Sequence, residues 1–195
     1  MKPLENLSKY EVLLASNSPR RRELLWDLGV KFSTFVIPGI DESYPANLPV
    51  MEVAAYISRV KADAYAKTIS ASQLIITADT VVVCDGAVLG KPEDMADAVA
   101  MLKRLSGKVH YVVTGVTITT ATRKETFSAV SEVEFAELED DEIEYYVETY
   151  LPLDKAGAYG IQEWIGCMGV RRISGSFYNV MGLPLQRLYT ELKKF

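Results

Sequence analysis

Within seven residues, Ser16-Asn17-Ser18-Pro19-Arg20-Arg21-Arg22 gathers two hydroxyls and three guanidinium groups. Ser18 fits a helix N-cap and Pro19 the first helical position, which puts Arg20 and Arg21 in the first turn. Cations are disfavoured there, because the helix dipole is already positive at its N-terminus. An anion resolves the conflict: free N–H groups, hydroxyls and guanidinium groups at a strand-to-helix turn make a phosphate site. On a helical wheel Arg21 lies within the stripe of Leu24, Leu25 and Leu28, so it points toward the body of the protein. The plainer alternative is a solvated basic helix start paired to Glu23.

A second centre is Asp79, set in Leu74-Ile75-Ile76-Thr77-Ala78-Asp79-Thr80-Val81-Val82-Val83. Burying an unpaired carboxylate in so apolar a run costs several kcal/mol, so Asp79 is expected to face a polar site or a metal, the plainer alternative being a solvent-facing residue at a strand end. Asp85-Gly86 then signals a two-residue hairpin loop. That register pairs Cys84 with Ala87, Val83 with Val88, Val82 with Leu89, Val81 with Gly90 and Thr80 with Lys91. Lys91 thus arrives beside Asp79 and Thr80, unless a bulge shifts it and leaves an ordinary surface lysine. Lys61 falls on the apolar face of its predicted helix, where a cation either snorkels or reaches a site at the rim. Asp41-Glu42, after Pro38-Gly39, suits either a hard cation or a plain turn.

The elements that must carry these residues alternate between the two kinds of periodicity. Val12 to Ala15 reads as a short buried strand, and Pro19 to Leu28 as a helix stopped by Gly29. Phe32 to Ile37 reads as a strand, and Pro49 to Thr68 as a helix with Val50, Val53, Ala54, Ile57 and Ala64 at helical spacing. Leu74 to Cys84 and Ala87 to Gly90 form the hairpin, followed by a helix from Glu93 to Leu105. Lys108 to Thr119 and Glu125 to Phe135 form a long antiparallel hairpin, with an amphipathic helix from Asp140 to Tyr150 after it. The glycine-rich stretch from Leu153 to Leu183 carries no clear element and is expected to wall a cleft. A last helix spans Pro184 to Lys194. This order implies an α/β protein with a mixed, twisted sheet flanked by helices, in one domain spanning residues 1–195.

Composition narrows the chemistry. The chain has 195 residues with 49% hydrophobic and 24% charged side chains, as in an ordinary globular protein. Its 21 Lys plus Arg against 26 Asp plus Glu give a net charge of −5, which argues against a general nucleic-acid binder. No stretch approaches the roughly 20 apolar residues of a membrane span, and Met1 to Tyr10 lacks a signal core, so a cytoplasmic location without membrane contact is expected. Two cysteines, Cys84 and Cys167, do not support a disulfide framework. The single histidine, His110, excludes a multi-histidine zinc site and reads as a core strand residue rather than a triad member.

The motifs taken together resemble the Maf family of nucleoside triphosphate pyrophosphatases, once described as septum-formation proteins. The resemblance rests on Leu14-Ala15-Ser16-Asn17-Ser18-Pro19-Arg20-Arg21, Asp41-Glu42, Lys61-Ala62, Thr77-Ala78-Asp79-Thr80-Val81-Val82 and Gly90-Lys91-Pro92. It continues through Asp154-Lys155-Ala156-Gly157-Ala158-Tyr159-Gly160-Ile161-Gln162 and Gly175-Ser176-Phe177-Tyr178-Asn179-Val180-Met181-Gly182-Leu183-Pro184. It implies an α/β fold related to the inosine triphosphate pyrophosphatases, with two lobes around a cleft and often a homodimer. It also implies Asp79 as catalytic proton acceptor, Ser16, Arg20, Arg21, Lys61 and Lys91 as phosphate-handling residues, and Glu42 with Asp79 at a divalent cation, Mg or Mn. Arg20, Thr80 and Gln162 match the branch acting on dTTP and UTP rather than that acting on 7-methyl-GTP. The residues before the first strand exceed what the motifs need.

The implied chemistry is water attack at the α-phosphorus with pyrophosphate as leaving group, the cations offsetting charge that builds there. One donor and one acceptor on the Gln162 amide match the edge of uracil or thymine. Two competing readings remain at this stage. One is a nucleotide-binding regulator of cell division without turnover, and the other a pyrophosphatase for 7-methyl-GTP or other modified purine nucleotides.

Overall fold

Leu13 and Leu14 of β1 (Glu11–Leu14) lie beside Ile75 and Ile76 of β3 (Gln73–Cys84) in parallel register. Parallel neighbours need a long crossover, and here it carries two helices, α1 (Pro19–Asp27) and α2 (Val53–Ala66). These elements belong to a computed structural model that describes residues 3–195. On the other side of β1 the short β2 (Ser33–Thr34) is also parallel. β4 (Ala87–Leu89) pairs antiparallel with β3, and β5 (Val109–Thr119), β6 (Lys124–Phe135) and β7 (Val170–Ser174) complete the sheet. Its order is β2-β1-β3-β5-β6-β7, with β4 attached to β3. The expected mixed α/β architecture is therefore the observed one.

The chain forms two compact units. The first comprises the residues up to Asp79, Thr114–Ala129 and Gly182–Phe195. Its core includes Leu13, Ala15, Tyr65 and Ile75, with Ile37, Ile40 and Ile69 packed against them. Its last helix is α7 (Leu185–Leu192), and a 3₁₀ turn over Glu5–Lys9 precedes β1. Here the stretch before the first strand finds a structural role. Asn6 Nδ2 donates to the Leu192 carbonyl at 2.8 Å and Lys9 Nζ to the Phe195 carbonyl at 2.7 Å, while Leu7 is buried. The first satisfies a carbonyl that ends α7 and has no partner within the helix.

The second unit comprises Thr80–Val113 and Val130–Met181. It holds α3 (Met95–Leu105), α4 (Asp140–Tyr150), α5 (Trp164–Gly169) and α6 (Phe177–Met181). Side chains start its longer helices: Asp94 caps α3 by accepting from Asp97 N at 2.8 Å, and Glu142 accepts from Glu139 N at 2.8 Å before α4. Val82, Leu102, Leu105, Phe135, Tyr146 and Tyr159 are among its core residues.

Several expectations are corrected. The strand expected over Phe32 to Ile37 is reduced to two residues, because beyond Phe35 the backbone turns to a side chain: Ile37 N donates to Tyr65 Oη at 2.7 Å. The first turn of the helix expected from Pro49 is a separate 3₁₀ turn, Val50–Glu52. The glycine-rich stretch is not without elements, since it contains α5, β7, α6 and a 3₁₀ turn over Ala156–Ala158. The β3–β4 hairpin has the expected register at Cys84/Ala87, Val83/Val88 and Val82/Leu89. Asp85 and Gly86 both take positive φ, 51° and 73°, as its tight turn requires. The ladder stops at Leu89, however, and beyond it the Gly90 carbonyl accepts from Gly157 N at 2.9 Å. Pairing of Thr80 with Lys91 is not formed.

Candidate active site

Beyond β1 the chain enters a turn built by its own hydroxyls. Ser16, buried, accepts from Ser18 N at 3.2 Å, and Ser18 in turn caps α1 by accepting from Arg21 N at 3.4 Å. Leu24 and Leu25 anchor the helix in the core, so Arg21 on the same side is carried inward as its wheel position requires. Its Nη1 donates to the Ala78 carbonyl and its Nε to the Gly182 carbonyl, both at 2.8 Å. A planar guanidinium with fixed donors is suited to holding two separate carbonyls in this way.

Burial pushes the Arg21 guanidinium below its ordinary value, Asp79 opposes that shift, Arg20 adds to it and Glu42 opposes it. The four groups thus share one electrostatic neighbourhood. Lys61 completes it: its Nζ lies 2.8 Å from Asp79 Oδ1 and 3.0 Å from Glu42 Oε2. The side chains of Lys61 and Asp79 are only 14% and 15% exposed, so their attraction is weakly screened, whereas Glu42 at 51% is the more solvated partner. Of the two roles open to Asp41-Glu42, the turn is formed, and Glu42 pairs with an ammonium. Asp41 Oδ1 makes the turn by accepting from Ser43 N at 2.9 Å, which lowers its carboxyl pKa, and Glu42 reaches Lys61.

Ser16, Arg20, Arg21, Glu42, Lys61 and Asp79 all belong to the first unit. Thr80, Lys91 and Gln162 belong to the second. Thr80 follows Asp79 on β3 and is half-buried; Lys91 is exposed beyond the end of β4, without the ladder partner expected for it; Gln162 is exposed just before α5. A network steadies the segment leading to Gln162. Tyr146 Oη donates to Glu163 Oε2 and accepts from Gly160 N at 3.0 Å, while Lys155 Nζ reaches Glu163 Oε1 at 3.2 Å and Asp154 Oδ1 at 2.7 Å. Burial raises the Tyr146 phenol far above its ordinary range, so it stays a donor. A Cβ at Gly160 would lie 2.8 Å from Glu163 Cδ and 3.1 Å from Gln162 Nε2, so any larger residue there must shift these side chains.

Sequence reasoning missed the support behind Lys61 and Asp79. Ser58, Thr77 and Thr117 are fully buried and joined by hydrogen bonds. Gly115 of β5 lets α2 come so near that a Cβ would lie 2.3 Å from Ala54 C and Ala55 N. Strand and helix periodicity held a partial signal: Thr77 precedes Asp79 by two residues and Ser58 precedes Lys61 by three, so each shares a face with its site residue. Nothing local marks Gly115 or Thr117.

The donor set fits a hard divalent cation. Two carboxylates, Glu42 and Asp79, converge on one ammonium, and Mg is commonly held by one or two carboxylates plus the phosphates of a substrate. Among the described residues no group of three or more His, Cys, Asp or Glu side chains is placed to hold an ion.

Comparison with known proteins agrees with the motifs. The Maf-like protein family matches residues 11–195. A dTTP/UTP pyrophosphatase of Phocaeicola vulgatus is 60% identical over 98% of this chain and 99% of its own length. One of Bacteroides thetaiotaomicron is 59% identical over the same shares. Among solved structures, the Staphylococcus aureus Ham1 protein superposes with a TM-score of 0.56 at 16% identity, covering 94% of this chain and 98% of that one. A HAM1 protein from Coxiella burnetii gives 0.52 at 19%, covering 95% and 100%. At such identity these two speak for the fold alone. With the family matched across both units and relatives of this similarity along nearly its whole length, the chain belongs to the Maf family.

Proposed function

We propose that this protein is a nucleoside triphosphate pyrophosphatase acting on dTTP and UTP, with Asp79 as the proton acceptor. The observation that carries the reading is the Lys61 ammonium held at 2.8 Å from Asp79 and 3.0 Å from Glu42, with Arg21 and Arg20 in the same electrostatic neighbourhood. Such a cluster suits a polyphosphate and an ionised base at once. The substrate choice rests on the relatives named dTTP/UTP pyrophosphatase and on Arg20, Thr80 and Gln162.

In the proposed step Asp79 takes a proton from water as its oxygen bonds to the α-phosphorus. The bond from that phosphorus to the bridging oxygen breaks, and pyrophosphate leaves with the electron pair. Arg20, Arg21 and Lys61 offset negative charge on the transferring and leaving groups, and Ser16 offers a hydroxyl to the phosphates. Lys91 is assigned to the leaving group, and Gln162 to the pyrimidine edge with its amide donor and acceptor. Glu42 and Asp79 would hold a divalent cation, Mg or Mn, which supplies Lewis-acid polarisation of phosphoryl oxygens when bound. A homodimer is part of the same reading.

The test is pyrophosphate release from dTTP, UTP, 7-methyl-GTP and ITP, with and without chelator, by wild type and Asp79→Asn. The expected result is metal-dependent turnover of dTTP and UTP, and a loss of at least about 10²-fold in the variant, in the range general base catalysis supplies. A purine preference would overturn the use of Thr80 and Gln162. No turnover of any triphosphate, with binding intact, would leave a nucleotide-binding regulator.

A further inference from the structure

We infer that Thr77 and Ser58 are positioning residues: the buried Thr77 hydroxyl bonded to the Ser58 carbonyl seats α2 on β3, the Ser58 hydroxyl ties the same turn of α2 to β5, and together they hold the Lys61 ammonium against Asp79. The inference rests on the reading of Asp79 and Lys61 given above and deepens it.

Thr77 Oγ1 donates to the Ser58 carbonyl at 2.7 Å, and both residues are fully buried. A carbonyl in mid-helix already has its partner four residues on. The bond is therefore unnecessary to Ser58, and its structural effect is to tie strand to helix. Two residues along β3 on the same face stands Asp79, and three residues along α2 stands Lys61. Ser58–Thr77 and Lys61–Asp79 are thus successive rungs between the same two elements, 2.7 Å and 2.8 Å long. The first is neutral and buried; the second faces the chemistry.

The remaining bonds fix the polarity of the chain. Ser58 Oγ donates to the Ala55 carbonyl at 2.9 Å, so its contact with Thr117 Oγ1 at 2.9 Å must be one that it accepts. Thr117 has then used its proton, and accepts from Thr126 Oγ1 at 2.9 Å. Each hydroxyl has one proton to give, so only one arrangement satisfies the chain, and it spans α2, β5 and β6. One turn earlier the helix backbone lies directly on Gly115. α2 is therefore pinned from Ala54 to Ser58, and Lys61 is the next residue on that face able to reach the site. A mere core cluster needs no such relation to the ion pair.

The experiment uses the full chain and steady-state pyrophosphate release from dTTP and UTP. Thr77→Val keeps shape and removes the rung; it is expected to lower kcat about tenfold with KM within about twofold, since small misplacements cost rate rather than binding. Thr77→Ser restores the hydroxyl and should recover kcat to within about twofold of wild type. In a Lys61→Gln background Thr77→Val should have no further effect on kcat, because its target is gone. Should Thr77→Val not fold, Thr77→Ala removes the same hydroxyl and is read in the same way, whereas Ser58→Ala leaves the carbonyl that Thr77 bonds. A variant with lowered Tm but wild-type kcat, or with the same fractional loss in both backgrounds, would reduce the cluster to core packing and overturn the inference. Wild-type turnover by Asp79→Asn would instead remove the reading of Asp79 itself, and is seen independently of the Thr77 series.

Discussion

A cation flanked by two carboxylates and a histidine with no charge nearby are two solutions to burying a titratable side chain. Lys61 is matched by Asp79 and Glu42. His110 is fully buried with Nε2 bonded to Tyr159 Oη at 2.8 Å and no partner at Nδ1 among the described residues, while Phe135 and Tyr159 present ring edges to it. Burial lowers its pKa from 6.5 to about 4. The folded chain therefore keeps the ring neutral where the unfolded chain already binds a proton. Its contribution is intact above pH 6.5 and is lost as pH falls through the window down to about 4. That loss reaches at most about 3 kcal/mol. Melting curves across the window should show Tm falling on acidification, with a shallower fall in His110→Gln. Parallel curves for the two proteins would show that His110 is not the group responsible.

Among the elements, α2 is held closely against β5. Replacing Gly115 by Ala puts a methyl into the backbone of Ala54 and Ala55, which cannot swing aside as a side chain can. Overpacking of this kind costs about 3 kcal/mol, or roughly 10 °C in Tm for a chain of this size. Differential scanning calorimetry of Gly115→Ala checks it, and a Tm within about 2 °C of wild type would show that the helix yields. Elements with local signals were legible: Ser18-Pro19 announced α1, and Asp85-Gly86 announced the β3–β4 turn and its register. β7 was not, because its middle residues Arg171 and Arg172 are exposed and it shows no alternating apolar face. Its pairing draws instead on Arg172, which bonds Glu132 and Glu134 of β6. The pairing expected for Lys91 was not met because a turn signal fixes the register beside Asp85-Gly86 but not how far the ladder runs. The hydroxyl chain under Lys61 was legible only at Thr77 and Ser58, since contacts between α2 and β5 obey no short-range period. The charged residues of the site were legible because a carboxylate in an apolar strand and arginines at a helix start are locally costly.

At the scale of the whole molecule the charges are unevenly spread. The chain has a formal charge of −5, yet Arg20, Arg21 and Lys61 against Glu42 and Asp79, three cations to two anions, leave one positive charge in the site. Beyond a Debye length of about 10 Å the net charge is largely screened, and a polyphosphate meets the positive site only at close range. Local attraction should dominate the encounter, so kcat/KM is expected to fall about threefold between roughly 50 and 500 mM salt. A rise over that range would mean that the surrounding acidity governs approach. No helix among the described residues is long and apolar enough to cross a membrane.

The course of the chain gives Arg21 a further consequence. Its two carbonyl partners, Ala78 and Gly182, lie next to or at points where the chain passes from one compact unit to the other, after Asp79 and after Met181. One side chain thus gauges the spacing between two doorways of the polypeptide. Lysine has no planar fork with donors set apart at fixed positions, so the arginine here serves the architecture whether or not an anion is present.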